Sequence, residues 1–321
     1  MFARNHRHCT ADRESWPTRL VRMKVFGRSP INLYLRMNRR LWTILPEAAI
    51  RCAPIRSYGS FLHTVVRLKS TRGQLPHTYF LRNRPALELL RRLMEKRTRA
   101  DILKVAVLGC SAGAEAYSAA WRIRSARPDL ALILHGVDLS HQAIEIARSG
   151  VYSGKVAQFT GTDIFDHMTR SEIAQLFDRK GDVLTIKSWI KEGIEWRVGD
   201  VRDSEIHDAL GPQDVVVANN FLCHMNAPEA EECLRNIARM VKPNGYLFVS
   251  GIDLDVKIKV ATDLGWTPMN ELIEEIHYGD SHMTDTWPWT YSSLEPLDKK
   301  RQNWRLRYAQ AFQLSGAGGV V

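Results

Sequence analysis

The run ILKVAVLG, Ile102 to Gly109, followed at once by CSAGAEAYSAA, limits this chain more than any other feature. An apolar stretch without alternation reads as a strand buried on both faces, and the small residues after it carry the period of a helix. The same change of period recurs. LALILHGVD, ending at Asp138, is followed by SHQAIEIARSG, where Ser140 is placed to cap a helix and Gly150 to end it. GIEWRVGDV, QDVVVANNFL and YLFVSGID supply three more strands, and APEAEECLRNIARMVKPNG a helix closed by Pro and Gly. Strand and helix alternate from 101 to about 255, which predicts an α/β fold with a doubly wound, mostly parallel sheet.

The remainder is organised around that core. Residues 151–192 break the alternation and read as a small insertion. PALELLRRLMEKR, from Pro85, reads as an amphipathic helix. VKIKVATDLG is a further helix, NELIEEIHYG an apolar-acidic run, and RYAQAFQL a last strand. DTWPWTYSSLEP is aromatic; Trp287, Trp289 and Tyr291 suit either a packed corner beside Pro288 or a lid over a substrate. The expected division is 1–75 as a basic N-terminal region, 76–255 as the core, and 256–321 as an extension completing the sheet. The first 20 or so residues and the tail SGAGGVV are expected to be loose.

Charge is distributed unevenly. Residues 1–100 hold 22 Lys and Arg against 5 Asp and Glu, although the whole chain is only +10. The basic third can dock on its own catalytic domain, bind an acidic partner, or contact nucleic acid or a membrane surface. The first two are favoured. No apolar run approaches the roughly 18 residues of a membrane span. The five scattered cysteines form no C-x-x-C pair, which argues against a disulfide framework and against zinc. No metal is expected, and the cytoplasm is the expected compartment, an organellar transit peptide being the lesser alternative.

In such a sheet the ligand lies beyond the carboxyl ends of the strands. Gly109 and Gly113 let the backbone approach it, and Asp138 is placed for a ribose diol, an arrangement that suits NAD, FAD and S-adenosylmethionine alike. The G-x-G-x-x-G spacing of a pyrophosphate turn is absent. Glu115, in the first turn of the helix, repels phosphate and suits the cationic amino-acid end of S-adenosylmethionine. Asp138 could instead serve only the neighbouring helix start.

Taken in order, TYFLR (Thr78–Arg82), GCSAGAEAYS (Gly109–Ser118), VDLS (Val137–Ser140), ARSGVY (Ala147–Tyr152), GDV (Gly199–Val201), NNFLCHM (Asn219–Met225) and VKPNGYLFVSG (Val241–Gly251) resemble the CheR-type S-adenosylmethionine-dependent methyltransferases. The resemblance covers roughly 76–255 and implies a Rossmann-like methyltransferase sheet, with 151–192 where the family carries a small extra subdomain. It implies that Thr78 and Arg82 reach the methionine end of the cofactor, Arg82 meeting its carboxylate. Gly109, Ser111 and Gly113 would form the turn, Glu115 would take the α-ammonium and Asp138 the ribose. Asp200 and Val201 would flank the adenine, and Asn220 and Phe221 would line the pocket below the transferred methyl.

The departures also matter. The family's Arg is Asn219 here, and its Tyr is His224, which reads as a helix-start residue or as a base or substrate contact. Asn220 and His224 are the candidate catalytic residues. ANNFL lacks the pattern of enzymes that methylate base amino groups, and residues 1–75 do not resemble the helical domain of chemotaxis enzymes. The expected activity is O-methylation of a carboxylate or hydroxyl on a small molecule or protein side chain. Two alternatives stand: an inactive regulatory protein binding S-adenosylmethionine or S-adenosylhomocysteine, and an RNA-directed methyltransferase using the basic region.

Overall fold

The computed structural model describes residues 29–50, 52–70, 72, 78–98, 102–153 and 163–315. The expectations for the first 20 residues and for the tail from Gly316 lie outside them. The chain divides into two compact units: the part before Arg72 together with Thr286–Pro296, and Arg72–Asp285 together with Leu297–Val321.

The larger unit is the α/β core. Its strands are β1 (Leu103–Leu108), β2 (Leu132–Asp138), β3 (Val151–Ser153), β4 (Phe177–Lys180), β5 (Val183–Ile186), β6 (Ile194–Val198), β7 (Gln213–Asn219), β8 (Val241–Ser250), β9 (Thr267–Pro268) and β10 (Ala311–Gln313). Among the described residues a seven-stranded sheet runs β6-β2-β1-β7-β8-β10-β9. β6, β2, β1, β7 and β8 are parallel, and β10 pairs antiparallel with both β8 and β9. β1, the apolar run before the glycine-bearing turn, lies central and is buried at every position but Lys104. The strand order reverses between β1 and β7, so their carboxyl ends open the crevice where such sheets bind ligands.

Residues 151–192 contain a three-stranded antiparallel sheet, β3-β5-β4. An aromatic cluster ties it to the TYFLR segment. Phe80, fully buried, stacks on Phe165 and meets Tyr152 and Phe177 edge-on, with ring centroids 5.0 to 5.7 Å away. Burying four rings removes far more apolar area from water than three short strands could by themselves.

The helix Arg84–Glu95 begins where the sequence places it, with Pro85 in its first turn and the Asn83 side chain accepting from Ala86 N at 3.1 Å. One boundary differs. The helix Ala227–Arg239 stops before VKPNG, and those residues start β8, which has a register shift opposite Gln213–Val215. Asn244, at φ 62°, turns there and donates its N–H to Leu314 O, so a tertiary partner takes the backbone that a longer helix would have used.

The smaller unit holds the helices Pro30–Thr43, Glu47–Ile50 and Ala53–Lys69. Residues 286–296, which the expected division places in the C-terminal extension, group with these helices. Trp287 and Trp289 meet Trp42 edge-on at 5.6 and 6.1 Å, and the His63 ring nitrogen lies 3.1 Å from Thr290 O. Leu62, Trp42 and Trp287 form the buried centre. Of the two readings of the aromatic stretch, this packing is the corner. Among the described residues no helix is long and apolar enough to cross a membrane.

Candidate active site

At the carboxyl end of β1 the backbone turns through three left-handed residues, Gly109 (φ 64°), Ser111 (φ 47°) and Gly113 (φ 87°). A Cβ on Gly109 would lie 2.7 Å from the Phe221 ring, so the turn and the loop after β7 meet face to face. Gly113 answers to packing instead: a Cβ there would lie 2.9 Å from both Ala147 and Trp196. Ser111 has no such freedom, and a side chain in this region costs about 1–3 kcal/mol of strain. Leu81 (φ 55°) and Asn220 (φ 61°) are held the same way. Strain therefore gathers on the three loops that converge on one crevice.

Asp138, at the end of β2, holds the turn in place. Its Oδ2 accepts from Ser111 N at 2.8 Å and its Oδ1 from Ser140 N at 2.9 Å. The helix His141–Ser149 is capped by Ser140, whose Oγ accepts from Ala143 N at 3.2 Å. Each Asp138 oxygen keeps acceptor capacity beyond its one N–H, which a ribose diol requires.

Glu115 and Arg82 feel one another's charge, and each has a further partner. Asn219 Nδ2 donates to Glu115 Oε1 at 2.7 Å. Burial raises the Glu115 carboxyl above its ordinary range; the Asn219 bond and the Arg82 charge oppose that rise, and Asp280 adds to it. Arg82 donates through Nε to Asp280 Oδ2, and its guanidinium carbon stands 5.5 Å from the Tyr79 ring centroid. The loop carrying Arg82 is fastened to the helix Ala114–Ala126 by Leu81 N, which donates to Ser118 Oγ at 3.0 Å, while Ser118 Oγ donates to Ala114 O. Thr78 is buried at the start of the same segment.

Asp200 and Val201 follow β6, close to Asp138 because Gly199 N donates to Asp138 O at 3.0 Å. The Asp200 carboxylate accepts from Arg202 Nε at 3.0 Å and from Arg202 N at 2.9 Å, and the guanidinium holds it below its ordinary range. Val201 is buried, and its carbonyl lies 2.7 Å from the His207 ring nitrogen. After β7, Asn220 N donates to Ser250 O at 3.1 Å, and a 3-10 turn spans Leu222–His224. His224 is half-buried; burial and then the charge of Arg72 hold its pKa below the ordinary value. Arg72 binds the carbonyls of Cys223, at 3.3 Å, and Met225, and reaches Asp253 Oδ2 at 3.5 Å.

Sequence reasoning missed Arg72 and Asp280. Arg72 sits in an arginine-rich stretch that composition presents as a solvated surface, and Asp280 lies outside every recognised segment. Among the described residues no group of three His, Cys, Asp or Glu side chains could hold a metal.

Residues 76–256 match the family model "CheR methyltransferase, SAM binding domain". The chain belongs to the CheR methyltransferase family. Over 180 residues it is 27% identical to the "Probable biofilm formation methyltransferase WspC" of Pseudomonas putida, covering 54% of this chain and 41% of that protein. It is 26% identical over 149 residues to "Chemotaxis protein methyltransferase 1" of Pseudomonas aeruginosa, covering 46% of this chain and 53% of that one. The chain thus spans about two-fifths of the WspC relative and about half of the chemotaxis one. Among solved structures, the magnesium protoporphyrin IX methyltransferase of Synechocystis PCC 6803 with bound SAM is similar at 15% identity and a TM-score of 0.33, over 58% of this chain and 69% of that one.

The cofactor of this CheR-family domain is S-adenosylmethionine, and the residues present suit it. Arg82 is engaged through Nε, so the forked end of its guanidinium suits a carboxylate. Glu115 and Asp280 are acidic groups of the kind that suit an ammonium, and Gly109 packs directly beneath Phe221.

Proposed function

We propose that this chain transfers the methyl group of S-adenosylmethionine to an oxygen, of a carboxylate or a hydroxyl, on a protein side chain or small molecule. The observation that carries this reading is the trio Arg82, Glu115 and Asp280 at one end of the crevice, with Asp138 at the end of the adjacent strand. That trio suits the zwitterionic amino-acid end, and Asp138 suits the ribose. When bound, the cofactor supplies a methyl carbon activated by a sulfonium. The chain's task is alignment and the exclusion of water. Asn220 and Phe221 would line the crevice on the side of the transferred methyl, and the backbone at Asn220 is held in the left-handed region.

A carboxylate acceptor attacks as it is: the new O–C bond takes the acceptor's lone pair, and the C–S pair leaves to sulfur. A hydroxyl acceptor must also lose a proton, and His224, whose pKa burial holds below the ordinary value and so toward the neutral form, is the base assigned to it. His224→Gln therefore separates the two acceptors. With a hydroxyl, the rate is expected to fall about a hundredfold or more. With a carboxylate, it is expected to stay within a few-fold. The measurement is transfer of labelled methyl from S-adenosylmethionine to acceptors in a cell extract, across pH 5 to 8.

Asp138→Ala is expected to weaken S-adenosylhomocysteine binding by about tenfold to a hundredfold, the worth of charge-assisted bonds to a ribose diol. Isothermal titration reads it. If the unaltered protein binds neither S-adenosylmethionine nor S-adenosylhomocysteine, the proposed function is wrong. Binding without transfer to any acceptor would favour the regulatory reading.

A further inference from the structure

Asp280 is 8% exposed at its side chain and pairs with Arg82 through Oδ2, while its Oδ1 is buried and has no hydrogen-bond partner among the described residues. An unsatisfied buried carboxylate oxygen is costly, and where a native fold keeps one it calls for an explanation, a bound partner being one. Asp280 does not reach this place by chance of a loose loop. Asn83, next to Arg82, caps its own helix with Oδ1 and donates through Nδ2 to Ile276 O at 2.9 Å. Gly279 packs so closely on Asn83 that a Cβ would lie 2.5 Å from Asn83 Oδ1. Two adjacent residues of the loop after TYFL thus hook the segment that delivers Asp280.

The charges show what is lacking. Arg82 pairs with Asp280, and Glu115 feels the charges of both, so two carboxyl groups share the field of one guanidinium. The missing partner is a cation with hydrogen-bond donors, small enough to fit beside Arg82.

We propose that Asp280 is a direct ligand of the cofactor's α-ammonium, accepting through Oδ1 from the ammonium that Glu115 meets, while Arg82 takes the α-carboxylate with its forked end. This rests on the reading of the crevice as the S-adenosylmethionine site. Its rival is that Asp280 only occupies Arg82, competing with the α-carboxylate for the guanidinium.

The test compares two ligands that differ in the amino-acid end. S-adenosylhomocysteine carries the ammonium and carboxylate; 5′-methylthioadenosine has the same nucleoside and thioether without them. Asp280→Asn keeps the shape and an acceptor for Arg82 Nε but loses the charge. Titration is expected to show S-adenosylhomocysteine weakened by about ten- to a hundredfold and 5′-methylthioadenosine unchanged within twofold. Equal weakening of both ligands would mean a structural role, and unchanged or tighter S-adenosylhomocysteine binding would mean that Asp280 merely occupies Arg82; either overturns the proposal. Asp280→Glu, which keeps the charge, is expected to retain more affinity for S-adenosylhomocysteine than Asp280→Asn. Failure of the unaltered protein to bind either ligand would instead reject the site itself.

Discussion

Arg82→Ala is expected to weaken S-adenosylhomocysteine binding by about a hundredfold and to lower the melting temperature by several degrees. The two losses have different causes. A forked guanidinium on a carboxylate makes charge-assisted bonds of about 1.5–3 kcal/mol, and their loss appears in affinity. The stability loss comes from Asp280, left as a buried carboxylate without its cation; removing one partner of such a pair costs about 3–5 kcal/mol. Calorimetric melting and titration separate them. Adding Asp280→Asn to Arg82→Ala removes the stranded charge, so the double variant should recover much of the melting temperature and none of the affinity. Recovery of both would show that Arg82 serves the fold alone.

The same pair marks where the sequence stops being informative. β1, β2 and β7 were legible because strands buried on both faces must be apolar throughout, and few other structures produce VVVA or LILHGV between helices. Asp138 and Glu115 were legible because their places are local: one ends a strand, the other opens the helix after the turn. Asp280 was not, because only a hook made by Asn83, nearly two hundred residues earlier, brings it to Arg82. The partnership of Trp287 with Trp42 escaped for the same reason, since neither residue's neighbours hint at the other. Arg72 was hidden differently. An arginine that binds two carbonyls of the loop after β7 looks, in sequence, like its many neighbours that do not.

A buried amine beneath the C-terminal strands carries the other large effect. Lys257 lies in the helix Leu254–Asp263, is 2% exposed, donates to Ala309 O at 2.6 Å and stands 5.7 Å from the Phe312 ring centroid. Burial, and then the charge of Arg307, lowers its pKa from 10.5 to about 7. Below pH 7 the amine is protonated both folded and unfolded, so the cost of burying the charge is fully present. Between 7 and 10.5 the unfolded chain binds the extra proton, so stability rises with pH across that window. At about 1.4 kcal/mol per pH unit, the full cost is of the order of 5 kcal/mol. Lys257→Met removes it and fills the same space, but leaves Ala309 O without its donor, a loss of about 1–3 kcal/mol. The variant should therefore be the more stable protein at pH 6, by about 2–4 kcal/mol on those figures, and the less stable one near pH 10. Urea denaturation at the two pH values reads the difference, and an advantage of the same sign and size at both would show that the lysine does not lose its proton inside the fold.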